Sequence, residues 1–102
     1  MTTRRLPNRR NSQTFDIEAQ ALKFTTSFSH FADGGLGEVF LQNHKAGSAA
    51  GILAADAAVA ASLALQFGCP LETLRRAMMR DSKGGASGPL GVALDMIAEA
   101  ER

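Results

Sequence analysis

Residues 48–67 form an alanine-rich apolar run that contains a single charged residue, Asp56. Alanine is the strongest helix former and the run contains no proline, so the pattern predicts one long helix. Gly47 and Ser48 stand at its start as the predicted N-cap, and Gly68 and Pro70 end it. At about 100° per residue the large apolar side chains share one arc, and much of the remaining circumference is alanine. We therefore expect burial on nearly every side, including the arc of Ile52, Leu53, Val59, Leu63 and Phe67.

Upstream of this helix, apolar and polar residues alternate with the period of β-strands. The alternation predicts a short strand over residues 14–19 and a second strand over residues 22–31, which is rich in β-branched and aromatic residues. A glycine-rich turn at residues 33–37 predicts a hairpin with a third strand over residues 38–44.

The position of this turn sets the pairing within the hairpin. A turn centred on its glycine pair places Phe28 opposite Leu41 and His30 opposite Val39. Phe24 then joins Phe28, Val39 and Leu41 on one apolar face, and we expect the long helix to pack on it.

The C-terminal third predicts two shorter helices. Residues 69–81 form a short helix with apolar residues at helical spacing, and residues 82–88 form a loop with three glycines. Residues 89–100 form the last helix, with the apolar stripe Leu90, Ala93, Leu94 and Ile97 and the outward acids Asp95, Glu99 and Glu101.

The predicted fold class is therefore α+β. A three-stranded antiparallel β-meander packs on a long alanine-rich helix and two shorter helices, in the order βββααα. Residues 1–13, which are basic and contain Pro7, form an extended arm, and residues 14–102 form a single domain.

Composition narrows the functional classes. A chain of 102 residues forms one modest core, and a single cysteine excludes an internal disulfide framework, as in a reducing cytoplasm. The net charge of +1 argues against a dedicated nucleic-acid-binding protein. A membrane span is disfavoured because Asp56 would lie near the bilayer centre. His30, His44 and Cys69 do not have the spacing of a zinc site, so we expect no metal and no cofactor.

Basic and glycine-rich segments suggest an anion site. The loop leading into the last helix could hold a nucleotide or phosphate. The residues of this predicted site are Arg4, Arg5, Arg9, Arg10, Lys83, Gly84, Gly85 and Ser87. A flexible connection is the alternative for the loop.

Three further residues are singled out by their positions. Asp56 lies among the large apolar residues of the long helix, where a carboxylate needs a partner, so we predict a buried ion pair with Arg75 or Arg76 or with the arm. Phe31 and Phe40 are predicted to be exposed at an interface. The small residues around the long helix would also suit a homodimer through helices.

Several segments resemble, in the same order and with similar spacing, the C-terminal region of adenosylcobalamin-dependent class II ribonucleotide reductases. That family reads R-L-P, E-D-G-x-x-G-E-I-F-I, K-E-G-S and S-L-A-L-Q-Y-G-V-P-L-E, and the region is related to the TSCPD domain. The segments of this chain that carry the resemblance are residues 4–10, 31–41, 45–48 and 62–72. It fades after residue 74. The family's H-T-R-F-E-P-x-G stretch is replaced by residues 78–88, which keep only its glycine character, and Ser87-Gly88-Pro89 stands where the cysteine-bearing motif would fall.

The resemblance implies an accessory module rather than a reductase. In that family the radical chemistry belongs to a large barrel domain with its own cysteines and cobalamin site, which 102 residues do not contain. We therefore expect a non-catalytic accessory or assembly module that binds a ribonucleotide reductase, another protein or itself. A small nucleotide-binding or phosphate-binding regulator is the alternative, and a nucleic-acid-binding protein is a third.

Overall fold

The computed structural model describes Leu6 and residues 12–101. Three strands precede three helices, and the strands form one antiparallel sheet in the order β1-β2-β3. The predicted α+β fold in the order βββααα is confirmed. The elements are β1 (Ser12–Ala19), β2 (Leu22–His30), β3 (Leu36–Asn43), α1 (Ala49–Gln66), α2 (Leu71–Ala77) and α3 (Pro89–Ala100).

β1 and β2 are joined by a two-residue turn without glycine. Gln20 and Ala21 both have positive φ angles, 54° and 61°, which a tight hairpin turn of this kind requires. Ala19 pairs with Leu22 directly across the turn. The Gln20 side chain donates a hydrogen bond to the backbone oxygen of Ser87 at 2.7 Å, so the turn is tied to the loop before α3.

The predicted register of the second hairpin is wrong by two residues. Phe28 pairs with Val39 rather than with Leu41, and a bulge follows Ser29. The cause is the turn, because the Phe31 amide donates to the Gly35 oxygen at 2.7 Å and closes the connection earlier than a turn centred on the glycine pair. A shift of two residues preserves the side-chain faces, so the predicted apolar face is confirmed and buried: Phe24, Phe28, Val39 and Leu41.

α1 begins at the predicted N-cap and lies very close to β3. The Ser48 hydroxyl accepts a hydrogen bond from the Gly51 amide at 3.1 Å and donates one to Asn43 at 3.2 Å. A Cβ atom at Gly51 would lie 2.8 Å from Cβ of Asn43, so the helix approaches the strand too closely for a side chain there.

α1 also satisfies backbone groups of β3 that do not face β2. The Ser62 hydroxyl accepts from the Val39 amide at 2.9 Å and donates to the Val39 oxygen at 2.8 Å. The Gln66 side chain donates to the Gly37 oxygen at 3.1 Å. Since β3 is the last strand of the described sheet, α1 covers these three backbone groups on its open edge.

α3 completes the core against the sheet and α2. Ala93, Leu94 and Ile97 are fully buried, as the predicted stripe requires, whereas Leu90 is half-buried. The core consists of two adjoining clusters, one around Phe24 and Leu41 and one around Phe28, Leu94 and Ile97.

Candidate functional site

α1 is buried on one face only, not on nearly every side as predicted. The residues that face the core are mostly small and are at most 4% exposed: Ala54, Ala58, Ala61, Ser62 and Leu65. The sheet approaches this face closely through the bonds of Ser62 to Val39, and the side chains in the contact are small except for Leu65. The prediction that α1 buries its arc of large residues is therefore wrong.

Apart from the buried Leu65, the large apolar residues of α1 and its C-cap Phe67 face outward. They are between 41% and 69% exposed, and we call them, together with Asp56 and Ala60, the α1 outer face: Ile52, Leu53, Val59, Leu63 and Phe67. At 3.6 residues per turn these positions cover roughly a third of the helix circumference. Soluble proteins seldom expose so continuous an apolar surface unless it is a contact site.

Depressions lie on both sides of this face. An apolar cavity of about 380 Å³ separates α1 from the β1–β2 turn and from the start of α3, and Leu22, Leu53 and Leu90 line it. A second depression of about 280 Å³ lies toward β3, where Gly51 and Ile52 line it. α1 therefore stands as a ridge between two grooves.

Asp56 is exposed at the centre of the α1 outer face, so the prediction of a buried ion pair there is not met. Arg75, one of its predicted partners, instead bonds to Glu72 and to Asp95, the latter at 3.0 Å. Arg76 is exposed. Asp56 is consequently the one charge within an otherwise apolar surface.

Asp95 on α3 is the residue that holds two arginines. Arg80 donates to its two carboxylate oxygens at 2.7 Å and 2.8 Å, and Arg75 donates to one of them. The hydrogen bonds from Arg80 are the largest cause that lowers the pKa of Asp95 below its ordinary value. Asp95 was predicted to be an outward acid. The structure shows that it also joins α3 to α2 and to the segment that follows α2.

The glycine-rich loop before α3 already holds an anion of its own. One carboxylate oxygen of Asp81 accepts hydrogen bonds from the amides of Lys83 and Gly85, each at 2.9 Å. The Gly84 amide donates to the Asp81 backbone oxygen at 3.0 Å. A phosphate at the predicted site would have to compete with this carboxylate for the same donors.

The remaining predicted site residues are dispersed. Arg4, Arg5, Arg9 and Arg10 lie outside the described residues, and Ser87 donates its amide to the Met79 oxygen. Phe31 is only 5% exposed, so its predicted exposure is wrong, whereas Phe40 is 44% exposed on the opposite face of the sheet from α1. A Cβ at Gly37 would collide with Leu6 and would lie 3.2 Å from Phe31, which shows how closely Leu6 packs there.

His30 contacts a carboxylate and His44 contacts a hydroxyl. His30 bonds to Glu101 after α3, and His44 bonds to the Thr25 hydroxyl, which also donates to Asp16. Across Leu6 and residues 12–101, no group of three or more His, Cys, Asp or Glu side chains could hold a metal ion.

The comparisons with known proteins agree with the predicted resemblance. Two vitamin B12-dependent ribonucleotide reductases match 68 residues, or 67% of this chain: 40% are identical in the enzyme of Agrobacterium fabrum and 35% in that of Bradyrhizobium diazoefficiens. The matched region is 5% of the length of each relative. No solved structure matches. The TSCPD domain model matches residues 2–100, and the chain therefore belongs to the TSCPD domain family.

Proposed function

We propose that this TSCPD domain is a non-catalytic accessory module that binds a protein partner through the α1 outer face. The observation that supports the proposal is the outward position of Ile52, Leu53, Val59, Leu63 and Phe67, while small residues of the same helix face the core. An apolar face of this kind gains free energy when another protein covers it, at roughly 25 cal/mol for each square ångström removed from water.

The arrangement of the polar groups leads us to infer binding rather than catalysis. Nucleophilic catalysis requires a nucleophile next to a base, with a third group that orients the base. The Thr25 hydroxyl bonds to both Asp16 and His44, but the Asp16 side chain is 73% exposed and the site is open to water. The arginines Arg75 and Arg80 serve to join α2 and the segment after it to α3.

A vitamin B12-dependent ribonucleotide reductase is the partner that we propose. The reductases named above contain a region that is 35% to 40% identical to this chain. Related sequences keep related surfaces, so a partner surface that contacts that region within the reductase could also accept this chain. The module would then assist assembly of the enzyme without taking part in its chemistry.

The proposal is tested with a purified vitamin B12-dependent reductase and the isolated chain. We expect the chain to bind the reductase and to lose this binding on Leu63→Asp, because a charge at the centre of an apolar contact must be desolvated. Met79→Asp is the matched control, since Met79 is 79% exposed and lies outside α1.

Two results would contradict the proposal. Equal binding by the Leu63→Asp and wild-type chains would show that the α1 outer face is not the contact surface. Conversion of ribonucleotides by the isolated chain, without the reductase, would show that the module is an enzyme.

A further inference from the structure

The two edges of the sheet differ in how their backbone groups are satisfied. On β3, side chains of α1 bond to backbone groups that face away from β2. β1 is the strand at the opposite edge, and β2 is its neighbour on one side. In a strand paired on one side, every second residue directs its amide and its carbonyl away from the sheet.

Hydrogen bonds elsewhere in the sheet identify those residues. The His44 amide donates to the Lys23 oxygen at 3.0 Å, so the backbone of Lys23 faces β3. Glu18 lies opposite Lys23 in β1, and the backbone groups of such a pair point away from each other. Those of Glu18 therefore face the open edge, and so do those of every second residue before it. We call this set the β1 edge: Ser12, Thr14, Asp16 and Glu18.

The β1 edge is accessible. All four residues are exposed. Within the part of the chain that the structure describes, no hydrogen bond reaches their outward amides and carbonyls. Unpaired backbone groups along an extended strand are what a further strand binds.

We propose that the β1 edge binds an extended segment of another protein, in which basic residues alternate with apolar ones. The segment adds to the sheet as a fourth strand beside β1, and its backbone pairs with the outward groups of the β1 edge. This surface is separate from the α1 outer face, so the assignment goes beyond the proposed function and does not depend on it.

The charge of the β1 edge selects basic residues. Asp16 and Glu18 project from the exposed face of the sheet, and together with Lys23 and His44 they line a depression of about 290 Å³. The two acids belong to the edge strand, whereas Lys23 lies one strand further in and His44 follows β3. An added strand therefore meets the carboxylates first. Lysine or arginine side chains opposite them form favourable cross-strand pairs.

The inner side of the β1 edge selects apolar residues. Phe15 is half-buried on this side of β1, and Met96 of α3 is 42% exposed. Gly91 lines the cavity between α3 and α1, and at about 100° per residue Met96 lies on the other flank of α3. Since α1 packs on β3 and α3 on β1, that flank lies below the β1 edge. Apolar side chains at alternate positions of an added strand would cover Phe15 and Met96.

The same charges argue against a second copy of β1 as the occupant. A second β1 would bring its own Asp16 and Glu18 to the contact, and like charges on neighbouring strands are unfavourable. Acids on an open edge thus discourage pairing between identical chains. A basic segment gains from the charges that a second copy must overcome.

The first test measures the binding of synthetic peptides to the full chain at low salt. The probe has about eight residues, the length of β1, with lysine and valine in alternation. We expect it to bind, and a control peptide with glutamate in place of lysine should bind about tenfold more weakly or less. No binding of the lysine peptide, or equal binding of the two, would overturn the proposal.

A second pair of peptides tests for backbone pairing. One carries N-methyl groups on its lysines only, and the other carries them on its valines only. In an added strand the amides of one alternate set face β1 and those of the other set face away. Exactly one of the two methylated peptides should therefore lose binding. Equal affinity of these two peptides would show that the contact is not strand addition and would overturn the proposal.

Variants of the chain locate the contact. Thr14→Pro removes an amide that faces the open edge and leaves the bonds between β1 and β2 intact, so it should raise the dissociation constant of the lysine peptide by about tenfold or more. Thr14→Ala is the matched control, because it also removes the 3.3 Å contact between the hydroxyls of Thr14 and Ser27, and it should bind as wild type does. Equal affinity of Thr14→Pro and Thr14→Ala would overturn the proposal.

Glu18→Lys tests the charge with the backbone unchanged, so its result stands even where Thr14→Pro lowers stability. We expect it to weaken binding of the lysine peptide by about fivefold at low salt. Wild-type affinity in this variant would overturn the choice of a basic segment. Molar-mass measurements on the chain alone test the other occupant, since a dimer that Thr14→Pro abolishes would show that a second copy binds the β1 edge.

The two proposals fail in different ways. Leu63→Asp, which should abolish binding of the reductase, should bind the lysine peptide as wild type does, because Leu63 lies on the α1 outer face. Peptide binding without reductase binding supports the β1 edge and removes the proposed function. Reductase binding through Leu63 without peptide binding removes the β1 edge as a docking site and leaves the proposed function in place.

Discussion

The two faces of α1 differ in the size of their side chains and in what those side chains contact. The inner face is built from small residues because it lies against the backbone of β3, where the Ser62 hydroxyl reaches both polar groups of Val39. The outer face carries the larger side chains, and they remain exposed. In this helix the size of a side chain therefore does not indicate which side faces the core. Small residues allow the closest approach within the domain, and the exposed large residues are the basis of the proposed partner contact.

The largest test of this comparison places a large side chain on the inner face. Ala58 is fully buried, so Ala58→Leu must separate α1 from the sheet, and we expect the free energy of unfolding to fall by about 3 kcal/mol. Ala60→Leu makes the same change on the exposed face and should alter it by less than about 0.5 kcal/mol. Urea unfolding of both variants measures the difference, and equal losses would mean that the two faces do not differ as described.

A second test removes the polar contact on the inner face. Ser62→Ala leaves the Val39 amide and oxygen without their partner, so we expect a loss of about 2 kcal/mol in the free energy of unfolding. The exposed Ser12→Ala is the control and should cost less than about 0.5 kcal/mol. A loss as small as that of Ser12→Ala would indicate that water replaces the hydroxyl and that the close approach of α1 does not depend on it.

A third test uses Asp95 on α3, whose ion pairs with Arg75 and Arg80 involve no residue of α1. Asp95→Asn weakens the bonds from Arg75 and Arg80, and we expect a loss of about 1.5 kcal/mol near pH 7. The pKa of Asp95 is lowered by folding, so its contribution is complete above its unfolded pKa of about 4 and is lost as the pH falls through the lower folded pKa.

The measurement is urea unfolding of both chains from neutral pH to below about pH 3. The difference between wild type and Asp95→Asn should shrink as the acid is titrated. A difference that stays constant over this range would show that the carboxylate charge does not carry the stability.

The sequence was sufficient to predict the elements of the fold. The period of alternation identified the strands, and the Ser48 cap and the Gly68-Cys69-Pro70 stop located α1 to within a residue or two. The register failed because Phe31 closes the turn by a backbone bond that composition does not reveal. The predicted apolar face was still correct, because a shift of two residues leaves each side chain on the same face of the sheet.

The sequence predicted which residues share the arc of the candidate site, but not that this arc faces outward. The arc that contains Leu63 was visible from the helical period, yet large apolar residues are ordinarily assigned to the core. The signal against that assignment was the opposite arc, which is nearly all small and carries Ser62 within it. The Asp81 carboxylate in the glycine-rich loop was missed for a different reason, because its bonds to Lys83 and Gly85 depend on the local turn geometry.

The position of α1 along β3 also bears on how the protein resists aggregation. Unpaired strand edges are where sheets of different molecules join into insoluble assemblies. Ser62 and Gln66 occupy backbone groups of β3 that such a neighbour would use. Strand addition at β3 by another molecule therefore first requires α1 to detach. A substitution that weakens the packing of α1 on β3 should also lower the barrier to aggregation through this strand edge.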